Sequence, residues 1–304
     1  MPGPDEELIL RLMQHVDRLA GLIGPRHVGK PAALQSAAGL IEQEFQLAGY
    51  DAVREDYSTT HGPVCNLIAE CPGTDRKQEV LIVGAHYDTV ATSPGADDNA
   101  SAVAVLLETA RRIRSRSLRR TVRFVAFACE EHPHHSLGEM GSQIHARGCR
   151  QRHEQIAGML CLEMLGYYRT EPGSQSIPPS IPRMIRWFLP RTADFLAAVG
   201  NLKSGRLLWQ FRQGFRQASH LKLVSMALPA QVTEARRSDN SSFWDVGYPA
   251  LMITDTSYLR NPHYHQPTDT PETLDYVRMA QAVHGLTGAI CRIAQVQRAS
   301  PRRD

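Results

Sequence analysis

His86 in GAHYDTV, Asp98 in PGADDNAS, the doublet Glu130-Glu131 in FVAFACEEH, Glu163 in MLCLEMLGYY and the pair Tyr264-His265 in NPHYHQPTDTPE stand far apart along the chain. Together they offer imidazole nitrogens and carboxylate oxygens, with no thiolate among them. Such a donor set fits a catalytic rather than a structural zinc centre, because a catalytic centre keeps positions open for water and substrate. A pair of zinc ions would use all of it. Each piece alone has an ordinary explanation. A histidine at a strand end is usually a hydrogen-bonded structural residue, and Asp-Asp-Asn before a helix is an N-cap signal wherever it occurs. Glu163 resists such an explanation, since it lies inside an apolar run where an unpaired carboxylate is costly to bury.

Elements that would position these residues are legible in the alternation of hydrophobic periods. Helical spacing runs over about 5–23 and about 31–48, the second stretch opening behind Pro31 and ending at Gly49. Strands are predicted at about 64–71, 80–87, 121–129 and 156–164, with helices at about 100–114 and 138–147. Near-continuous apolar strands separated by helices imply a sheet covered on both faces. Prolines at 172, 178, 179 and 182 then break the rhythm. Residues 171–219 read as an insertion with helices at about 184–199 and 206–217, whose aromatics Trp187, Phe188, Trp209, Phe211 and Phe215 pack a small satellite core on the simpler reading, or, if the segment is a lid, shape a substrate pocket. Order returns with a strand at about 221–227, a short helix over SSFWDVG, a strand at about 249–255 and a last helix at about 276–295.

On this map His86, the glutamate doublet and Glu163 fall at the C-terminal ends of strands, where open α/β sheets gather ligand-binding groups. Asp98 sits in a turn before a helix, so its carboxylate is expected to be held by backbone N–H groups at the helix start. His86 and Asp88 are two apart on an extended segment and share a face. Asp88 can therefore accept the proton of the non-metal imidazole nitrogen and fix the tautomer.

Taken in order, from about Gly24 to about Leu286, these motifs resemble the co-catalytic di-zinc exopeptidases, which include bacterial leucine-type aminopeptidases, glutamate carboxypeptidases and the related glutaminyl cyclases. The resemblance implies an α/β fold with a mixed, mostly parallel central sheet and helices on both faces. It makes His86 the first metal ligand, Asp98 rather than Asp97 the carboxylate bridging both metals, and His265 the last ligand. It assigns Glu130 as general base and Glu131 as ligand, with Tyr264 beside the site, where it would stabilise an oxyanion, and Asp269 behind it. Gly141-Ser142 and the SDNSSF segment at 238–243 match further landmarks of these enzymes. The chain departs from the pattern at Glu163, where aspartate is usual, and at Asn240, where many relatives have histidine. The doublet is also followed by a longer link, HPHHSLGEMGS.

The implied activity is hydrolysis of peptide or small amide bonds with two zinc ions per chain, about 3.5–4 Å apart. Removal of an N-terminal residue is the first reading, the substrate's free amine lying near Glu163 and the metals. The alternatives are a cyclase using one zinc, a glutamate-carboxypeptidase-like hydrolase, and a non-catalytic receptor-like relative. The last would be expected to have lost ligands or base, and this chain keeps both.

Composition sets the remaining bounds. The 304 residues are 42% hydrophobic, enough for one catalytic domain over residues 1–298, with 299–304 a frayed basic tail. A net charge of +3 argues for neither a nucleic-acid nor a membrane partner. No stretch approaches the roughly 20 apolar residues of a membrane span, and the N-terminus lacks a signal-like apolar core, so a soluble cytoplasmic protein is expected. Six cysteines without a CxxC pair are expected to be free thiols. The arginine run from Arg111 to Arg123 reads as a solvated loop complementing a helix C-terminus. His132, His134 and His135 offer either an extra metal site or a polar rim loop, and the rim loop is the simpler reading because the main donor set is already complete. HVGKPAA lacks the spacing of a phosphate loop, and no GxSxG elbow is present.

Overall fold

A computed structural model describes residues 3–181 and 183–296. The helices are α1 (Pro4–Val16), α2 (Pro31–Leu47), α3 (Ala102–Arg114), α4 (His134–Leu137), α5 (Gly141–Gln151), α6 (Arg183–Arg186), α7 (Gly205–Ala218), α8 (Asn240–Asp245) and α9 (Tyr276–Ile293). The strands are β1 (Val53–Thr59), β2 (Gly62–Cys71), β3 (Arg76–His86), β4 (Arg120–Phe127), β5 (Gln155–Glu163), β6 (Phe195–Asn201), β7 (Lys222–Leu228) and β8 (Ala250–Thr254).

The eight strands form one sheet in the order β1-β2-β4-β3-β5-β8-β6-β7. Its centre, β4-β3-β5-β8, is parallel, while β1, β2 and the β6–β8 junction are antiparallel. The sheet is thus mixed and mostly parallel, as expected. The run from Val80 to His86 in β3 is buried residue after residue, as a central strand covered on both faces must be. One face carries a core built with α1, α2, α3, α7 and α9, and the other a smaller core with α5 and α8. Gly84 is required where β3 passes β4, because a Cβ there would meet the Phe127 ring at 2.3 Å.

Chain order and sheet order part company around β3. The chain runs from β3 to β4 on one side and then crosses to β5 on the other. Such a switch opens a crevice at the carboxyl ends of the strands.

Two expectations fail. Residues 195–201 are not the end of a helix but strand β6, seated between β8 and β7, and α7 packs against α9. The second half of the supposed 171–219 insertion is therefore part of the sheet and its helical cover, and a lid role remains open only to the residues before β6. The arginine run is also less solvated than expected. Arg120 is buried against Glu79, and Arg123 pairs with Glu70 and Glu154. The tail expected at 299–304 lies outside the described residues, and among those described no helix is long and apolar enough to cross a membrane.

Candidate metal centre

His86 is the last residue of β3 and Glu163 the last of β5, while Glu130 and Glu131 follow shortly after β4 ends at Phe127. Because these strands are parallel neighbours, their ends meet at one edge. His86 is fully buried, its Nε2 3.4 Å from Asp98 Oδ1 and 3.6 Å from Glu163 Oε2. The other Asp98 oxygen lies 3.0 Å from His265 Nε2, which in turn lies 3.4 Å from Glu131 Oε1. Asp98 thus stands between two triads, His86–Asp98–Glu163 and Asp98–Glu131–His265, with one oxygen toward each.

Several of these atoms are orphans. His86 Nε2, Asp98 Oδ1, Glu131 Oε1 and His265 Nε2 are buried with no hydrogen-bond partner. Buried polar atoms are ordinarily satisfied, and donors converging in this way are what a metal ion would satisfy. The residues therefore fit a zinc pair, one ion per triad.

The positioning groups come from several elements. Asp88 accepts the backbone N–H of Glu130 at 3.0 Å and of Glu131 at 3.2 Å, and its Oδ1 faces His86 Nδ1 at 3.5 Å. One carboxylate thus orders the doublet and stands beside the first imidazole. Asp98's carboxylate is not held by N–H groups at a helix start, contrary to expectation. Asp269 takes up the N–H groups of that turn instead, accepting from Asp97 at 2.9 Å and from Asp98 at 3.1 Å. This leaves both Asp98 oxygens toward the triads.

Asp97 points elsewhere, accepting the Gly166 N–H and the Asn261 amide. Asn99 donates to the Leu162 carbonyl at 3.1 Å and accepts the Met164 N–H at 2.8 Å, clamping both sides of Glu163. Ser238 donates its hydroxyl to Glu163 Oε2 at 2.5 Å, which gives the SDNSSF segment a local role. Asn240 donates to the Ala235 carbonyl at 2.8 Å and so serves the backbone of that loop. Gly95 opens the turn that carries Asp98 at φ +64°, where a Cβ would stand 2.3 Å from the Asp98 carbonyl oxygen.

Sequence reasoning missed Arg26. Its fully buried guanidinium donates to the carbonyls of Tyr87 at 2.6 Å, Pro94 at 2.7 Å and Gly95 at 2.9 Å, tying the end of β3 to the turn that carries Asp98. Burial pulls its pKa down to about 10, so it stays charged. A single arginine in GPRHVGK carries no pattern that could have revealed it. Asp239 was missed as a site group too. It is fully buried with both oxygens unpartnered, and burial pushes it up to about 7.

Electrostatics divide the carboxylates. Burial, with Glu163 and Glu131 adding, pushes Glu130 well above the ordinary range, and burial next to Asp98 raises Glu131 to about 7. Asp98 moves the other way, because His265 and His86 outweigh its burial. Burial opposes charge on His265, yet Asp98 and Glu131 raise it to about 10. Excess negative charge enclosed with two imidazoles is what divalent cations would neutralise. Tyr264 stacks on His265 with ring centroids 3.8 Å apart, and burial, with the Asp98, Glu131 and Glu163 carboxylates adding, holds its phenol protonated.

Beyond Glu163, Tyr264 and Arg237 opens an apolar cleft of about 130 Å³. Its walls are Ile177, Pro178, Ile181 and Leu189 from the segment before β6, Ala197 and Val199 of β6, Val224 and Met226 of β7, and Met252 of β8. The aromatics that the lid reading would bring here do not line it, and Phe211 and Phe215 follow the core reading instead. Trp187 and Phe188 are 85% exposed, Trp209 lies under Arg292 on α7, and Phe211 packs with Phe215 in the core. Arg237, also unforeseen, lies over the Tyr258 ring at 4.7 Å and beside Tyr264.

Residues 66–287 match the model of peptidase family M28. The chain is 36% identical to the uncharacterized protein YfbL of Escherichia coli K12, over 91% of this chain and 85% of that protein. It is 25% identical to a probable leucine aminopeptidase of Trichophyton verrucosum, over 84% of this chain and 65% of that one. Among solved structures, the zinc aminopeptidase BSAP of Bacillus subtilis superposes with a TM-score of 0.72 at 16% identity, covering 93% of this chain and 94% of its own.

Proposed function

The chain belongs to peptidase family M28, and from that premise we propose that it is a zinc aminopeptidase, removing N-terminal residues that carry an apolar side chain. The observation that carries the reading is Asp98 set between two triads with its oxygens divided between them. The apolar cleft adjoining Glu163 supports the side-chain class.

Zinc bound there supplies an acidified water and an electrophile for the scissile carbonyl. Glu130, held at its backbone by Asp88, takes a proton from the water and passes it to the leaving amine. Tyr264, protonated and stacked on His265, donates to the oxyanion. Asp88, 3.5 Å from His86 Nδ1, stands where it would favour the tautomer that turns Nε2 toward the centre. Glu163 accepts the Ser238 hydroxyl on one oxygen and lies at the mouth of the cleft, where it receives the substrate's free amine. That amine requirement restricts cleavage to chain ends.

The test is a zinc-loaded preparation assayed on aminoacyl anilides, N-blocked peptides and C-terminal glutamate dipeptides. The expected outcome is hydrolysis of leucyl and methionyl anilides, abolished by a chelator, with no turnover of blocked peptides. Turnover confined to the glutamate dipeptides, pyroglutamate formation without anilide hydrolysis, or activity indifferent to chelation would overturn it.

A further inference from the structure

We propose a third metal site, separate from the two triads, formed by His61, His134 and Glu139, with zinc or another borderline divalent cation as its ligand. Thr60 and His61 form the turn between β1 and β2, while His134 opens α4 in the loop after the glutamate doublet and Glu139 follows that helix. One donor atom from each of the three lies within 4.8 Å of the others.

His134 is buried, with its Nδ1 3.1 Å from Glu139 Oε2. The His61 ring stands edge-on to it, centroids 5.4 Å apart at 82°. The second Glu139 oxygen accepts the Thr60 N–H at 2.8 Å and the Thr60 hydroxyl, which ties the carboxylate to the turn that carries His61. Two imidazoles and a carboxylate from separate segments make a donor set suited to zinc. His61 is exposed, so one side stays open to water and the ion is held less tightly than in the enclosed triads.

His132 and His135 are both exposed and take no part, so the histidines of this loop do not gather among themselves. The His134–Glu139 hydrogen bond alone would pin the loop to itself. It leaves unexplained why the hairpin turn presents a second imidazole to the same point. A third ion there clips the hairpin to the loop. The His134 N–H donates to the Glu131 carbonyl at 3.1 Å, so fixing His134 also steadies the backbone of a residue in the second triad.

The site is tested with zinc alone on the full chain. Metal-stripped wild type and the variants His61→Ala, Glu139→Gln and His265→Ala are dialysed to equilibrium against a series of free zinc concentrations, and bound metal is measured by elemental analysis. Wild type is expected to bind about one equivalent more than His61→Ala, in a step above the concentration that fills the triads. Glu139→Gln should lose the same step. His265→Ala, altered only in the second triad, should keep it, so this result does not depend on how many ions the triads hold. The thermal midpoint of wild type should also rise through that step, and that of His61→Ala should not. Identical zinc titrations for wild type and His61→Ala, whose exposed side chain can be removed without disturbing the core, would overturn the proposal.

Discussion

Glu130 and Glu131 adjoin in the chain, yet the duties proposed for them differ, and the backbone accounts for it. Asp88 accepts both of their N–H groups, which fixes the turn and leaves only Glu131 facing His265. Glu130→Gln should leave the zinc content near that of wild type while lowering kcat by roughly 10²–10⁴-fold, because proton transfer is lost and the metal cage is not. Glu131→Gln should lose metal. Elemental analysis beside turnover decides the matter, and the reverse pattern would exchange the two roles. Residues of this kind were legible in the sequence because their donor types recur in a fixed order within short motifs. Arg26 and Arg237 were not, since each is placed in space by contacts that no local pattern marks.

Elements were legible where period and burial agree, as in β3, β5 and α9. The strand β1, VREDYST, was missed because an edge strand with exposed polar residues lacks the apolar run that announces a buried one. The start of β6, FLAAVGN, runs on from the helix expected over about 184–199, because a short apolar stretch behind another apolar run fits either period. How the helices dock also yields a prediction. The Glu108 carboxylate of α3, fully buried, accepts Arg11 and His15 of α1 at 2.8 and 3.0 Å. Against the cost of burial, these partners depress its pKa from 4.5 to about 2. A depressed carboxylate stabilises the fold above its unfolded pKa, and that contribution is lost as pH falls through the folded one. The loss should span roughly pH 4.5 to 2 and amount to about 3 kcal/mol. Urea titrations of wild type and Glu108→Gln across that range should converge at the acid end. A constant gap between them would show that the carboxylate's charge does not dock α1.

At the scale of the whole molecule, the crossing of the chain at β3 sets where the site lies, and the far edge of the sheet sets what it would accept. The cleft beside Glu163 is walled by β6, β7 and β8 together with the segment just before β6. On the proposed reading, side-chain preference would fall to aliphatic residues of the sheet, and the aromatics of α7 lie outside the cleft. Val224 stands on β7, the edge strand, where a larger side chain meets fewer neighbours than in the core. Val224→Phe should fill part of the cleft and raise KM for leucyl and phenylalanyl substrates roughly 10-fold or more, while alanyl substrates change little. Trp209→Ala, on the half-exposed face of α7 beneath Arg292, should leave that ratio untouched. The paired kcat/KM values for large and small side chains separate the possibilities. If Trp209→Ala shifts the preference and Val224→Phe does not, the cleft is not the side-chain pocket, and specificity must come from the opposite side of the metal centre.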